Sequence, residues 1–276
     1  MRQLMKRILV IVYFASTFLT MSGQNLNIIL GRPTDKSITM NILFDAKVIF
    51  YVEYGTTSGS YSVKNQEHNS ESNVPFVETL TNLSADTRYF YHVSYRLPSE
   101  TKWKTSPVYS FQTWRPPGKS FSFTIEADPH PYDKKCYHPL WDIALQNQLN
   151  DNADFIIDMG DTFGDDHEPF TITNDEIRQL HLDDREYFGK ICHSLPLFFC
   201  LGNHEGESGY YLLQTPPNNL ATYGTLWRKY YYSNPFPDGF YTGNTQTEPN
   251  GIGLPENYYA WEWGDALFVV LDAYRY

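Results

Sequence analysis

The sequence predicts two domains: an all-β sandwich over residues 25–114 and an α/β layered domain over residues 120–276. Three observations carry this expectation. Before residue 115 the apolar residues alternate with period two, the repeat of half-buried strands. At Arg115-Pro116-Pro117-Gly118-Lys119 the pattern breaks in a stiff, polar joint. Beyond it, apolar runs alternate with helical patterns, as in β–α–β units with a mainly parallel sheet.

The first 23 residues read as a secretory signal. Arg2, Lys6 and Arg7 precede an apolar stretch of 13 residues, Ile8 to Thr20, too short for a bilayer span. Ser22 and Gly23 suit cleavage before Gln24, so a secreted, periplasmic or cell-surface protein without stable membrane insertion is expected. In the sandwich, Ser37–Phe44, Lys47–Tyr54 and Arg88–Arg96 are expected strands. Leu83, Thr87 and Tyr89 resemble the tyrosine corner of fibronectin type III sandwiches.

In the second domain Pro139–Asn150 is an expected helix, with Leu140, Ile143, Ala144 and Leu149 as its apolar stripe. Thr173-Asn174-Asp175-Glu176 is a capping box that opens a helix with Ile177, Leu180, Tyr187 and Phe188 on its apolar side. Residues 206–256, dense in Gly, Pro, Asn and aromatics, read as a long irregular loop. Asn257–Trp263 and Ala266–Asp272 form an expected hairpin around Gly264-Asp265.

Three apolar runs of this domain each end in metal-type donors, where α/β folds build sites. Phe121–Ala127 leads into Asp128-Pro129-His130, and Ala153–Met159 into Gly160-Asp161-Thr162. Leu195–Leu201 leads into Gly202-Asn203-His204-Glu205, the most specific of the three. Singly, each cluster reads as a turn, a cap or a loop histidine.

The ordered set D-x-H, G-D, G-N-H-E resembles the calcineurin-like metallophosphoesterases from Phe121 to Tyr276, and the sandwich before it resembles that of plant-type purple acid phosphatases. The resemblance implies a binuclear site of two divalent or trivalent ions (Fe, Mn or Zn) that hydrolyses phosphoric esters by attack of metal-bound hydroxide. It implies Asp128 and His130 as ligands of one metal, Asp161 as the bridge, Asn203 as a ligand of the other, and His204 as the catalytic group facing substrate. Glu205 is implied to be structural.

Two departures stand out. Purple acid phosphatases carry a ferric-ligand Tyr three residues after the second-motif Asp; here that residue is Gly164, which argues against a coloured tyrosinate site. The family pattern also continues with an isolated His and a Gly-His-x-His loop, whereas none of the eight histidines follows His204. The chain therefore reads as the first half of such a domain, weak or inactive alone. A second reading is a non-catalytic secreted binding protein with a vestigial half-site, and a third a mononuclear or structural metal site.

Composition narrows the partners. The 276 residues carry 21 Lys and Arg against 32 Asp and Glu, a net charge of −11. Such a surface repels nucleic acid and anionic lipid. It would repel a phosphoester too, unless cations at the site invert the local field. A small-molecule phosphoester or phosphorylated substrate is expected, and no nucleic acid. Asp165, Asp166, His167 and Glu168 read as a solvated acidic loop. Three cysteines, Cys136, Cys192 and Cys200, leave at least one unpaired within the chain. No metalloprotease, serine-hydrolase, Walker or dinucleotide-binding motif is present.

Overall fold

The computed structural model describes residues 25–134, 136–214 and 219–275. The expected signal segment lies outside the described residues. Among them, no helix is long and apolar enough to cross a membrane.

The first nine strands are β1 (Leu26–Gly31), β2 (Ile38–Phe44), β3 (Val48–Gly55), β4 (Val63–Lys64), β5 (His68–Ser70), β6 (Phe76–Leu80), β7 (Arg88–Arg96), β8 (Lys104–Thr105) and β9 (Tyr109–Gln112). They form two antiparallel sheets. One runs β1–β2–β6; the other runs β4–β3–β7–β8, with β5 also on β3 and β9 on β7. Alternate residues of each strand point between the sheets, so Leu30, Met40, Ile42, Phe50, Tyr91 and Phe111 share one core. The tyrosine corner is present: the Ser84 amide donates to the Tyr89 hydroxyl at 2.9 Å.

The period-two pattern leaves one face of β2 for solvent, yet all seven of its residues are buried. The second domain covers that face. Asn41 Nδ2 donates to Tyr230 O at 3.1 Å, and the buried Arg185 guanidinium donates to Asn41 O at 2.7 Å and to Tyr231 O. Ile29 of β1 packs into the second domain's core rather than the sandwich's own. Leu30 N donates to Cys192 O at 2.9 Å, and Tyr91 Oη to His193 O at 2.7 Å. In the Pro-Gly joint, Arg115 grips the buried Asp154 in a fork of 2.5 and 2.9 Å, a geometry that only a guanidinium offers.

The second domain has three layers. Its central sheet is parallel, in the order β10 (Phe123–Glu126), β11 (Phe155–Asp158), β12 (Leu197–Phe199). On one face lie helices α1 (His138–Asn150), α2 (Asn174–Phe188) and α3 (Leu220–Tyr231), packed over Ile156, Leu197 and Phe199. On the other lies the antiparallel sheet β13 (Thr242–Gly243), β14 (Tyr259–Trp263), β15 (Ala266–Val270). There Trp261 stacks on Phe198 with centroids 4.0 Å apart. The two-residue turn at Gly264-Asp265 is as expected, with Trp263 paired to Ala266.

The helices depart from expectation in three places. In α1 the buried residues are Trp141 and Leu145, whereas Leu140 and Ile143 are 61% and 56% exposed. The Trp141 ring has the larger surface and a hydrogen bond to Glu126 (3.3 Å), so the helix turns that face inward. The α2 capping box is present, and Ile177 and Phe188 are buried, but His181, Asp184 and Arg185 share their face. Residues 206–256 are not one irregular loop, because they contain α3. Its Thr, Tyr and Gly have weak helix propensity, but Asn219 caps it through Thr222 N (3.0 Å) and Tyr231 and Ala221 are buried. Cys136, Cys192 and Cys200 are all free.

Candidate metal centre

The three parallel strands end side by side. Register neighbours Glu126 and Asp158 close β10 and β11, and Asp158 pairs with Phe199 of β12. The donor-bearing loops therefore leave the sheet at one level and touch. Asp128 N donates to Gly160 O at 3.0 Å, and His130 N to Asp161 O at 3.3 Å. Gly160, at φ +90, lies so near the third loop that a Cβ there would stand 2.2 Å from Gly202 N. Only glycine fits both that conformation and that approach.

These contacts gather Asp128, His130 and Asp161, with one ligand atom from each inside a 4.8 Å cluster. His130 Nε2 lies 3.7 Å from Asp128 Oδ1 and 3.8 Å from Asp161 Oδ2. Two carboxylates and an imidazole converging this way suit a first-row divalent ion. All three residues have positive φ (55°, 42° and 57°), a region that non-glycine residues visit at a cost. The loops thus hold strained donors at the place where they converge.

Asn203 and His204 sit on a short 3-10 turn, Asn203–Glu205, that follows β12. Asp161 ties this turn to the cluster, because its Oδ1 accepts from His204 N at 2.9 Å. The His204 ring stands 5.4 Å from the His130 ring, centroid to centroid. The Asn203 side chain is exposed on the same turn. Of the five residues singled out from sequence, Asp128, His130 and Asp161 come together as donors; His204 lies against them, and Asn203 is next to it.

Three residues that sequence reading passed over complete the site. Asp166, read as a solvated acid, accepts from His204 Nδ1 at 2.7 Å, and its side chain is only 12% exposed. Burial opposes charge on His204, but the hydrogen bond and charge of Asp166, then Asp161 and Glu205, prevail and raise its pKa above the usual value. Asp158, counted within an apolar run, is fully buried; it accepts from Gly160 N at 2.7 Å and from Thr162 Oγ1. Burial, then the charge of Glu126, pushes Asp158 up. The third is Tyr132, whose hydroxyl lies 2.6 Å from His130 Nδ1. The one available sequence signal was an acid or tyrosine within a few residues of each donor.

Glu205 fastens the second and third loops together. Its buried carboxylate accepts from Gly202 N (2.5 Å), Asp161 N (3.0 Å), Thr162 N (2.6 Å) and Phe163 N (3.4 Å). Burial raises its pKa to about 7 against the amides of Thr162, Asp161 and Gly202. Two residues on, Glu207 forms a buried ion cluster with Arg228 of α3 (2.6 Å) and Arg275 (3.3 Å).

Comparison with known proteins bears on the fold and the family. A purple acid phosphatase, PPD1 from yellow lupin (Lupinus luteus) seeds, superposes with TM-score 0.59 at 15% identity, over 88% of this chain and 43% of that one. At that identity the match speaks to fold, and the present chain spans less than half of the lupin protein. The fn3 domain of human collagen alpha-1(XX) is 21% identical over 36% of this chain and 93% of its own, with TM-score 0.24, too low to carry weight. No curated protein matches. The family model for calcineurin-like phosphoesterases matches residues 121–268, which include all three donor loops and most of the aromatic hairpin, and the chain belongs to that family.

Proposed function

We propose that the protein is the exported, metal-dependent part of a phosphoesterase with a binuclear site. The observation that carries this reading is the convergence of Asp128, His130 and Asp161 within 4.8 Å, with the His204 ring beside them. In this reading Asp128 and His130 would hold one ion, Asp161 would be shared and Asn203 would serve the second. Bound metal supplies Lewis-acid polarisation of the phosphoryl oxygens and lowers the pKa of water. The chain's own groups do the rest. His204, turned by Asp166 at Nδ1, presents Nε2 to the leaving oxygen as a proton donor or charge partner. Asp161 holds the amide of His204 through one oxygen and leaves the other for metal. The charged, apolar and small-residue order of residues 2–23 supports export. The net charge of −11 supports a small or phosphorylated substrate rather than nucleic acid.

The test is metal uptake and hydrolysis together. Purified protein is loaded with Mn²⁺, Zn²⁺ or Fe, its metal content is measured, and a phosphomonoester and a phosphodiester are offered. Asp161→Ala should lose both ions and Asn203→Ala mainly one. Absence of metal uptake by the unmodified chain would overturn the reading; weak or no turnover is expected of this chain, and robust turnover of either ester would show that it needs no further histidines.

A further inference from the structure

Tyr132 lies in the first donor loop, two residues after His130, and its ring rests on the second. Gly164 has φ +65, and a Cβ built there would stand 2.0 Å from Tyr132 Cε1 and 2.1 Å from Cδ1. The phenol ring therefore fills the space that any side chain at 164 would need. It is also set between two histidines, with centroids 5.5 Å from His130 and 6.0 Å from His167. This half-buried ring carries its hydroxyl to 2.6 Å from His130 Nδ1. The other ring nitrogen, Nε2, is the one turned toward Asp128 and Asp161.

Proton accounting gives this contact a role. A neutral imidazole has one N–H and one lone pair. To bind a metal through Nε2, His130 must keep its proton on Nδ1, and that N–H needs an acceptor. Tyr132 Oη is at hydrogen-bond distance and stands behind the imidazole, on the side away from Nε2. Partners of this kind fix the tautomer and ring orientation of a ligating histidine.

We propose that Tyr132 is the positioning residue of His130, accepting the Nδ1 proton so that Nε2 is free for metal, and that residue 164 is glycine to admit the Tyr132 ring. The proposal rests on the metal reading of His130 given above. It assigns Tyr132 no place among the ligands and no contact with substrate.

The experiment compares Zn²⁺ and Mn²⁺ affinity, by competition with a chromophoric chelator, in the unmodified chain and in Tyr132→Phe, Tyr132→Ala, Gly164→Ala and His130→Ala. Ring ¹⁵N chemical shifts of His130 are recorded on the Zn²⁺ form, and thermal melts check folding. Loss of such a partner costs about 10–100-fold in affinity, so Tyr132→Phe should weaken binding by that factor while still melting cooperatively. Gly164→Ala should do the same with Tyr132 intact, by displacing the ring. In the Tyr132→Ala background it should cost nothing more, because the pair acts through one contact. The ¹⁵N shifts should place the proton on Nδ1. Tyr132→Phe binding as tightly as the unmodified chain, while His130→Ala binds poorly, would overturn the role of Tyr132 and leave the metal reading standing. Binding unaffected by His130→Ala would overturn both. With Fe³⁺, a visible charge-transfer band abolished by Tyr132→Phe would make the phenol a direct ligand and overturn the outer position proposed here.

Discussion

Asp166 Oδ1 accepts a hydrogen bond from His204 Nδ1 at 2.7 Å across two loops that are 38 residues apart in sequence. The contact leaves Nε2 as the free end of the ring, and the aspartate's side chain is nearly buried, so its charge is little screened. A hydrogen bond to a charged group is worth about 1.5–3 kcal/mol. At 1.36 kcal/mol per decade that is roughly 10–100-fold in rate. In a full-length protein with measurable turnover, Asp166→Asn should therefore retain its metal and slow hydrolysis by that factor. Metal content measured beside kcat checks this, and loss of metal would show Asp166 to be part of the ligand set.

His204→Ala should have the larger effect, because it removes the group that Asp166 only orients. General acid help is typically worth about 10²–10⁴ in rate. The loss should shrink for a nitrophenyl ester, whose leaving group needs no proton, relative to an alkyl ester. Equal slowing of both esters would remove the acid role and keep charge stabilisation; an emptied metal site would make His204 a ligand.

The donors were legible in the sequence because parallel strands buried on both faces read as continuous apolar runs, and whatever follows such a run stands at the sheet's edge. Asp128, Asp161 and His204 each follow one. The tyrosine corner was legible because Tyr89 and Ser84 are local in sequence. Asp166 and Tyr132 were not, since their roles come from contacts between loops, and an acid beside three other polar residues looks the same whether solvated or folded under. The outer face of β2 was misjudged for a similar reason: alternation reports the inner face, while a neighbouring domain can bury the other. Helix α3 was hidden because its support is a cap and tertiary packing rather than propensity.

Buried charge sets a stability prediction. Glu207 is buried with Arg228, and burial alone would raise its pKa, but Arg228 and then Arg275 hold it below the usual carboxylate value. Removing the acid leaves the buried Arg228 guanidinium with only the Pro255 and Glu256 carbonyls, while Arg275 keeps Glu248, and breaking a buried pair in this way costs about 3–5 kcal/mol. Glu207→Ala should lose that much in urea unfolding and loosen the link between α3 and Arg275. A loss below 1 kcal/mol would mean that the arginines find water.

Acid should weaken the seam between the domains. Burial lowers the His193 pKa from 6.5 to about 4, and its ring stacks on Tyr109 of the sandwich at 4.0 Å. The unfolded chain takes up the proton near the ordinary value, whereas the folded one resists it. The stabilisation is thus complete above pH 6.5 and is lost as pH falls toward 4. At 1.36 kcal/mol per unit this is worth roughly 3 kcal/mol. His193→Phe keeps the stack and cannot titrate. Urea midpoints at several pH values across that window should fall less steeply in the variant; parallel slopes would show that His193 is not the group responsible.

Strain at the donors gives a prediction independent of catalysis. His130 holds φ +42, where a Cβ costs roughly 1–2 kcal/mol and glycine costs nothing. Both His130→Gly and His130→Ala delete the imidazole and its bond to Tyr132, so the difference between them isolates the backbone. In the metal-free protein the glycine variant should be the more stable by about 1 kcal/mol, a little less than the full strain because glycine also loosens the unfolded chain. That is the reverse of their order in a helix. Both variants should bind metal poorly. Urea unfolding of the two apo variants, side by side, measures the difference. If alanine is the more stable, the loop relaxes out of the left-handed region once the histidine is gone, and the strain belongs to the side chain's contacts rather than to the loop's path.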